Sequence, residues 1–272
     1  MKVTIKDFVP EHTFDCGQCF RWEKQPDGSY IGVAGGQAVR IKADEDCVTI
    51  DGITEKDYEI FWKNYLDADR DYSEIKKKVS TNEIMQNAVS FGNGIRILRQ
   101  DFFETLISFI ISPRSSIPKI KSSVEKMCSL WGDEITFEGK TYYTFPTPEK
   151  IASLTEDDIR SIGVGYRAPY ILKAAQAILN GDIKEATLQN SDTPSARESL
   201  LSLYGVGDKV CDCVLLFSLG KYDLFPADVW IKRVMEESFN TKDAKNIGEN
   251  LFGNYSGFAQ QYLFYWRKFN NV

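Results

Sequence analysis

The sequence predicts an α+β protein: a small amino-terminal antiparallel sheet followed by an all-helical domain. Two observations carry that expectation. Before Asp51, β-branched residues alternate or cluster in three short runs separated by turn residues. From Thr54 onward, apolar and aromatic residues recur at helical spacing.

The first strands are Tyr30-Ile-Gly-Val-Ala, Gln37-Ala-Val-Arg-Ile-Lys and Cys47-Val-Thr-Ile-Asp, a meander with Gly35-Gly36 and Ala43-Asp-Glu-Asp as its turns. Thr54-x-x-Asp57 has the form of a capping box, and Tyr58, Phe61, Trp62 and Tyr65 follow at helical spacing. About ten further helices are expected beyond it. Thr147-Pro148 and Thr155-x-x-Asp158 read as helix starts, and Gly181 as a stop after Tyr166 to Asn180. Ser90-Phe-Gly-Asn-Gly is turn-rich, which places a domain boundary near Asn93 and divides the chain into 1–92 and 93–272.

Composition narrows the function classes. Ordinary hydrophobic content, 43%, excludes wholesale disorder. The longest charge-free run, Asn250 to Trp266, has 17 residues with two glycines and four amides, too short and too polar for a membrane span. Met1 to Glu11 carries Lys2, Lys6 and Asp7 and no apolar stretch, so a signal peptide is not expected. The expectation is a soluble, cytoplasmic protein, nucleoid-associated if bacterial, and monomeric. Cys16-x-x-Cys19 stands without a second pair or a histidine cluster, so neither a metal nor any other cofactor is expected. His12 is the one histidine, which leaves little room for Ser-His or Cys-His catalysis. The net charge of −6 argues mildly against nucleic acid, unless a local basic face makes the contact.

The most informative stretch is Leu201-Ser-Leu-Tyr-Gly-Val-Gly-Asp-Lys-Val-Cys-Asp-Cys. A helix ends at Tyr204, Gly205-Val206-Gly207 makes a tight turn, and a second helix begins at once. Two glycines around one small apolar residue let the backbone approach a phosphate, and the N–H groups that open the next helix are anion donors. Such a helix-hairpin-helix grips the DNA backbone without reading sequence; an ordinary helix–helix turn would look similar. Lys209 falls in the first turn of the second helix, where the dipole disfavours a cation and helps free a neutral amine for nucleophilic attack. Phe225-Pro-Ala-Asp-Val-Trp places Asp228 after a proline that can open a helix, a position that suits a capping aspartate and a catalytic one alike.

The block Gly205-Val-Gly-x-Lys209 … Pro226-x-Asp228 resembles the helix-hairpin-helix DNA glycosylase superfamily, and within it the chain is similar to the 8-oxoguanine DNA glycosylases. The resemblance runs along nearly the whole chain. It includes Cys16-Gly-Gln-Cys-Phe-Arg-Trp22, Gly94-Ile-Arg-Ile-Leu-Arg-Gln-Asp101, Phe145-Pro-Thr-Pro148, Gly163-Val-Gly-Tyr-Arg-Ala168 and Gly257-Phe-Ala-Gln-Gln-Tyr-Leu-Phe264, in the family's order. It implies a bifunctional glycosylase/AP lyase that acts on double-stranded DNA containing 8-oxoguanine and needs no cofactor.

By the same resemblance Lys209 attacks C1′ of the damaged nucleotide and forms a Schiff base, while Asp228 positions the lysine and stabilises charge on the sugar. Cys213 and Phe264 sandwich the flipped base, and Gln260 bonds its Watson–Crick edge. Gly17 supplies the carbonyl that accepts the N7 hydrogen of the lesion and repels the bare N7 of guanine. Tyr166 and Arg167 enter the duplex beside the lesion, and the Gly205, Val206 and Gly207 backbone holds phosphate. Helical spacing agrees with part of this: Gln260 and Phe264 are i, i+4, and so are Lys209 and Cys213.

The chain departs from the family at Ser112-Pro-Arg-Ser-Ser-Ile-Pro-Lys119, where vertebrate-type members carry an Asn-rich segment ending in arginine. Arg114 and Lys119 are the DNA-contacting candidates there, and Trp230 replaces the histidine that follows the aspartate. Two alternatives remain at this point: a related glycosylase for alkylated or other oxidised bases, and a non-catalytic helix-hairpin-helix DNA-binding protein.

Overall fold

A computed structural model describes residues 1–270. Five strands form one antiparallel sheet in the order β1-β5-β4-β3-β2: β1 Lys2–Thr4, β2 Trp22–Lys24, β3 Tyr30–Ala34, β4 Gln37–Asp44 and β5 Cys47–Asp51. The three expected strands are its centre, and β1 and β2 add the edges. Alternation selects the buried face, since Ile41, Val48 and Ile50 are buried between exposed or half-buried neighbours and Val39 lies on the same face as Ile41. That face packs on Phe14, Trp22, Trp62, Tyr65 and Leu66 as a separate amino-terminal core. Thr54 and Asp57 form the reciprocal capping box that starts the helical turns carrying Trp62 and Tyr65.

Among the described residues, ten helices have eight residues or more. They are α1 Tyr72–Val79, α2 Glu83–Phe91, α3 Phe102–Ile111, α4 Ile117–Trp131, α5 Ala168–Leu179, α6 Thr193–Leu201, α7 Asp208–Phe217, α8 Val229–Phe239, α9 Ala244–Phe252 and α10 Ser256–Phe269. The shorter helix at Pro148 starts at Thr147, and Thr155 with Asp158 caps the next, as their sequences predict. α3 is buried at nearly every position and forms the axis of the larger core.

Two features differ from the expected layout. A two-stranded hairpin, β6 Glu134–Phe137 and β7 Lys140–Tyr143, interrupts the helical part. Its turn places Glu138 and Gly139 at φ +50° and +72°, the left-handed pair that two-residue hairpins favour. An ion pair of Arg40 with Glu138 ties it to the amino-terminal sheet. In addition α1 and α2, on the sheet side of Asn93, bury Tyr72, Ile75, Val79, Met85 and Val89 in the helical core that also holds Tyr262 and Tyr265.

Arg96 joins the two parts. It is fully buried, and its guanidinium donates to the carbonyls of Lys6 at 2.6 Å, Leu66 at 3.1 Å and Arg70 at 3.0 Å, and to that of Asp67. One buried cation thus engages four backbone carbonyls and has its own donors satisfied, as burial requires.

Candidate active site

A cavity of about 310 Å³ opens where the amino-terminal segment meets α3, α4, α7, α8 and α10. Gly17, Lys209, Cys213, Asp228, Gln260 and Phe264 all line it. These residues span most of the chain, and the fold brings all six together.

Lys209 is held by a turn that only glycine tolerates. Gly205 adopts φ +88°, and a Cβ there would lie 2.2 Å from Tyr170 Cγ. Val206 is buried and anchors the turn. Gly207 is the N-cap of α7 and has no side-chain cap, and a Cβ there would meet nothing within 4 Å. The first N–H groups of α7 are therefore open to an anion. Lys209 Nζ donates to Ser112 Oγ at 3.1 Å and lies 4.7 Å from the Phe109 ring centroid. Ser112 Oγ in turn donates to the Phe109 carbonyl at 2.9 Å, which fixes it as an acceptor for the lysine. Neither Ser112 nor Phe109 carries a signal in the sequence.

Cys213 sits one turn along α7 and is 4% exposed; burial pushes its thiol up to about 11 while Lys209 pulls the other way. Asp228 is the N-cap of α8. Its Oδ1 accepts from the backbone N–H groups of Trp230 and Ile231, each at 2.9 Å. Among the described residues Oδ2 accepts no hydrogen bond, so one oxygen is structural and the other is available to the cavity.

The opposite wall is equally constrained. Gly17 has φ +80°, and a Cβ there would meet Phe264 Cε1 at 3.1 Å and Ile117 Cδ1 at 3.3 Å. Gln18, fully buried, pins this loop by donating to the carbonyls of Thr13 and Arg96 and accepting from Leu98 N–H. Gln261 donates to the Cys16 carbonyl at 2.7 Å, which fastens the loop to α10. The thiols of Cys16 and Cys19 are free and buried, and burial pushes Cys16 up to about 12. Gln260 is 5% exposed, and its Oε1 is buried without a hydrogen-bond partner. A buried acceptor without a donor costs about 1–3 kcal/mol, so this atom is open to any donor that enters the cavity.

The remaining candidates lie outside the cavity. Arg114, at φ +57°, and Lys119, in the first turn of α4, are exposed, and neither has an acidic partner among the described residues. Tyr166 is 55% exposed. Arg167, expected to enter the duplex with Tyr166, is only 7% exposed and its guanidinium is turned inward. Its guanidinium donates to the Val164 and Pro113 carbonyls and lies 4.5 Å from the Tyr166 ring centroid. The reason is tertiary: the turn after α3 leaves the Pro113 carbonyl without a backbone donor, and Arg167, 54 residues on, supplies one. Lys268 and Trp230 also line the cavity. Lys268 was reachable from the sequence, since it continues the four-residue spacing of Gln260 and Phe264.

Residues 1–106 match the 8-oxoguanine DNA glycosylase N-terminal domain, and residues 107–251 match the HhH-GPD superfamily of base excision DNA repair proteins. The chain belongs to that superfamily, and its amino-terminal domain is of the 8-oxoguanine glycosylase type. A crystal structure of Clostridium acetobutylicum 8-oxoguanine glycosylase/lyase, in complex with double-stranded DNA containing cytosine opposite 8-oxoguanine, superposes with a TM-score of 0.96. It is 40% identical and covers 98% of this chain and 94% of that one. A probable N-glycosylase/DNA lyase from Methanothermobacter thermautotrophicus is 36% identical over 63% of this chain and 62% of its own length. The N-glycosylase/DNA lyase of Saccharomyces cerevisiae is 38% identical over 60% of this chain and 46% of its own. The chain thus spans roughly half to three-fifths of these two curated relatives.

Proposed function

We propose that the protein is a bifunctional DNA glycosylase/AP lyase that extrudes 8-oxoguanine from duplex DNA, excises it and then cleaves the strand. The observation that carries this reading is the junction of a positioned amine, Lys209, with a base-sized slot lined by Gln260, whose buried Oε1 lacks a donor. A base inside a duplex is unreachable, so the target must be flipped into such a slot. There the N1–H and exocyclic amine of the purine would satisfy Gln260, with Phe264 and Cys213 against its faces.

The neutral Lys209 amine forms a bond to C1′ as the C1′–N9 bond breaks, and the base leaves with that electron pair and with the proton that the newly bonded lysine nitrogen sheds. Asp228 Oδ2 relays that proton or balances the positive charge on the sugar. The ring-opened sugar is then a Schiff base on Lys209. Loss of a C2′ proton expels the 3′ phosphate, which is the lyase step. Gly17 beside Phe264 supports selection of the lesion, because one carbonyl facing N7 accepts the extra hydrogen of 8-oxoguanine and repels guanine. We place the protein in the cytoplasm, acting as a monomer.

Borohydride trapping on duplexes carrying different lesions tests the proposal. Trapping and base release are expected with 8-oxoguanine and to be lost in Lys209→Gln, with duplex binding retained because the Gly205–Gly207 backbone is untouched. Undiminished trapping in Lys209→Gln would place the nucleophile elsewhere, and binding without excision by the unaltered protein would leave only a DNA-binding module.

A further inference from the structure

Gln260, Phe264 and Lys268 follow one another at four-residue spacing along α10, and all three line the cavity. Such residues share one helix face. Each step advances about 6 Å, so the stripe extends about 12 Å, the scale of one nucleotide. It also becomes more exposed along its length, from buried Gln260 to half-buried Phe264 and Lys268.

Lys268 is anomalous among the charged groups of this wall. Its Nζ lies 5.2 Å from the ring centroids of both Phe264 and Phe269. Among the described residues it has no hydrogen-bond or ion-pair partner. Burial pushes its ammonium below the usual lysine value, with the Asp228 carboxylate opposing. A partly desolvated cation without a directly bonded counter-ion is unfavourable. Its place in the last turn of α10 is one where the helix dipole favours positive charge.

We propose that Lys268 is a further substrate-binding residue whose ammonium takes a phosphate flanking the extruded nucleotide. One face of α10 then contacts pairing edge, ring and backbone of the same nucleotide in order. This assignment rests on the glycosylase reading above. Phosphate is the anion that a flipped nucleotide presents at the mouth of the slot, while its base occupies the interior against Gln260 and Phe264. The contact also supplies part of the local positive charge that an acidic chain needs in order to hold DNA.

The test compares Lys268→Met, which keeps the apolar stem, with Lys268→Arg, which keeps the charge, both in the Lys209→Gln background so that the duplex is not turned over. Binding to an 8-oxoguanine duplex is measured against salt, with and without a neutral methylphosphonate at each phosphate flanking the lesion. Lys268→Met should weaken binding about tenfold and flatten the slope of log K against log salt by about 0.9, the value for one phosphate. Lys268→Arg should retain both. A methylphosphonate at one position should weaken the Lys268-containing protein to the same degree and leave the Met variant unchanged. An unaltered slope in Lys268→Met, or full additivity at every flanking phosphate, would overturn the assignment. So would borohydride trapping that survives in Lys209→Gln and disappears in the double variant, since Lys268 would then be a nucleophile. Failure of the unaltered protein to excise 8-oxoguanine would instead overturn the glycosylase reading itself.

Discussion

Replacing Gly17 with alanine tests the base slot at its tightest point. At φ +80° an L-residue is strained by about 1–2 kcal/mol, so global stability should fall by that amount. The new methyl would lie 3.1 Å from Phe264 Cε1 and 3.3 Å from Ile117 Cδ1, so the Phe264 ring must give by a few tenths of an ångström. A misplacement of about 1 Å at a reacting centre costs about a hundredfold. The smaller shift here should lower single-turnover excision of 8-oxoguanine by about ten- to a hundredfold. A preformed abasic site has no base to admit, so its cleavage and borohydride trapping should stay near the unaltered level. The assay runs both substrates side by side, at a temperature well below the variant's unfolding midpoint. Wild-type excision by Gly17→Ala, or equal losses on both substrates, would show that Gly17 does not shape a base slot. Proline is the wrong probe at this position, because its ring requires φ near about −65° and would dismantle the loop.

Two further outcomes are expected. On the proposed function, the residues expected to meet the opposite strand are a rotatable ammonium at Lys119 and an exposed Arg114 on left-handed backbone, while Arg167 is engaged by the Pro113 carbonyl. A bidentate base contact is worth about 1–3 kcal/mol of discrimination. Without one, excision opposite cytosine should exceed that opposite adenine only a few-fold in single-turnover assays on four duplexes, and a hundredfold preference would refute this. The second concerns Glu104, 3.6 Å from Arg21, whose carboxyl burial pushes up to about 7 from 4.5. A raised carboxyl contributes stability that is full below its unfolded value and lost as pH rises through the folded one. Urea midpoints of Glu104→Gln relative to the unaltered protein should therefore improve from about pH 5 to pH 8, and a relative decline would mean that the Arg21 pair outweighs burial.

What the sequence determined by itself is what local periodicity and turn chemistry encode. The strands at Tyr30–Ala34, Gln37–Lys42 and Cys47–Asp51 and the capped starts at Thr54, Thr147 and Thr155 are of this kind, although the middle strand runs on through Ala43 and Asp44, read from the sequence as turn. The Gly205–Gly207 turn that presents Lys209, and the i, i+4 pair Gln260 and Phe264, were legible for the same reason: each depends on neighbours within a few residues. Tertiary structure alone decided the rest. The β6–β7 hairpin is short, and its docking beside the sheet, with the Arg40–Glu138 ion pair across the junction, is a long-range contact. α1 and α2 have amphipathic faces that any apolar surface could cover, and only the chain path sends them to the helical core. Arg167 turns inward because the Pro113 carbonyl, far away in sequence, lacks a donor. Ser112 holds Lys209 across 97 residues of chain, and no pattern of neighbours encodes such a contact. Periodicity records which face of an element is apolar; which remote atom completes a hydrogen bond is settled only when the elements pack.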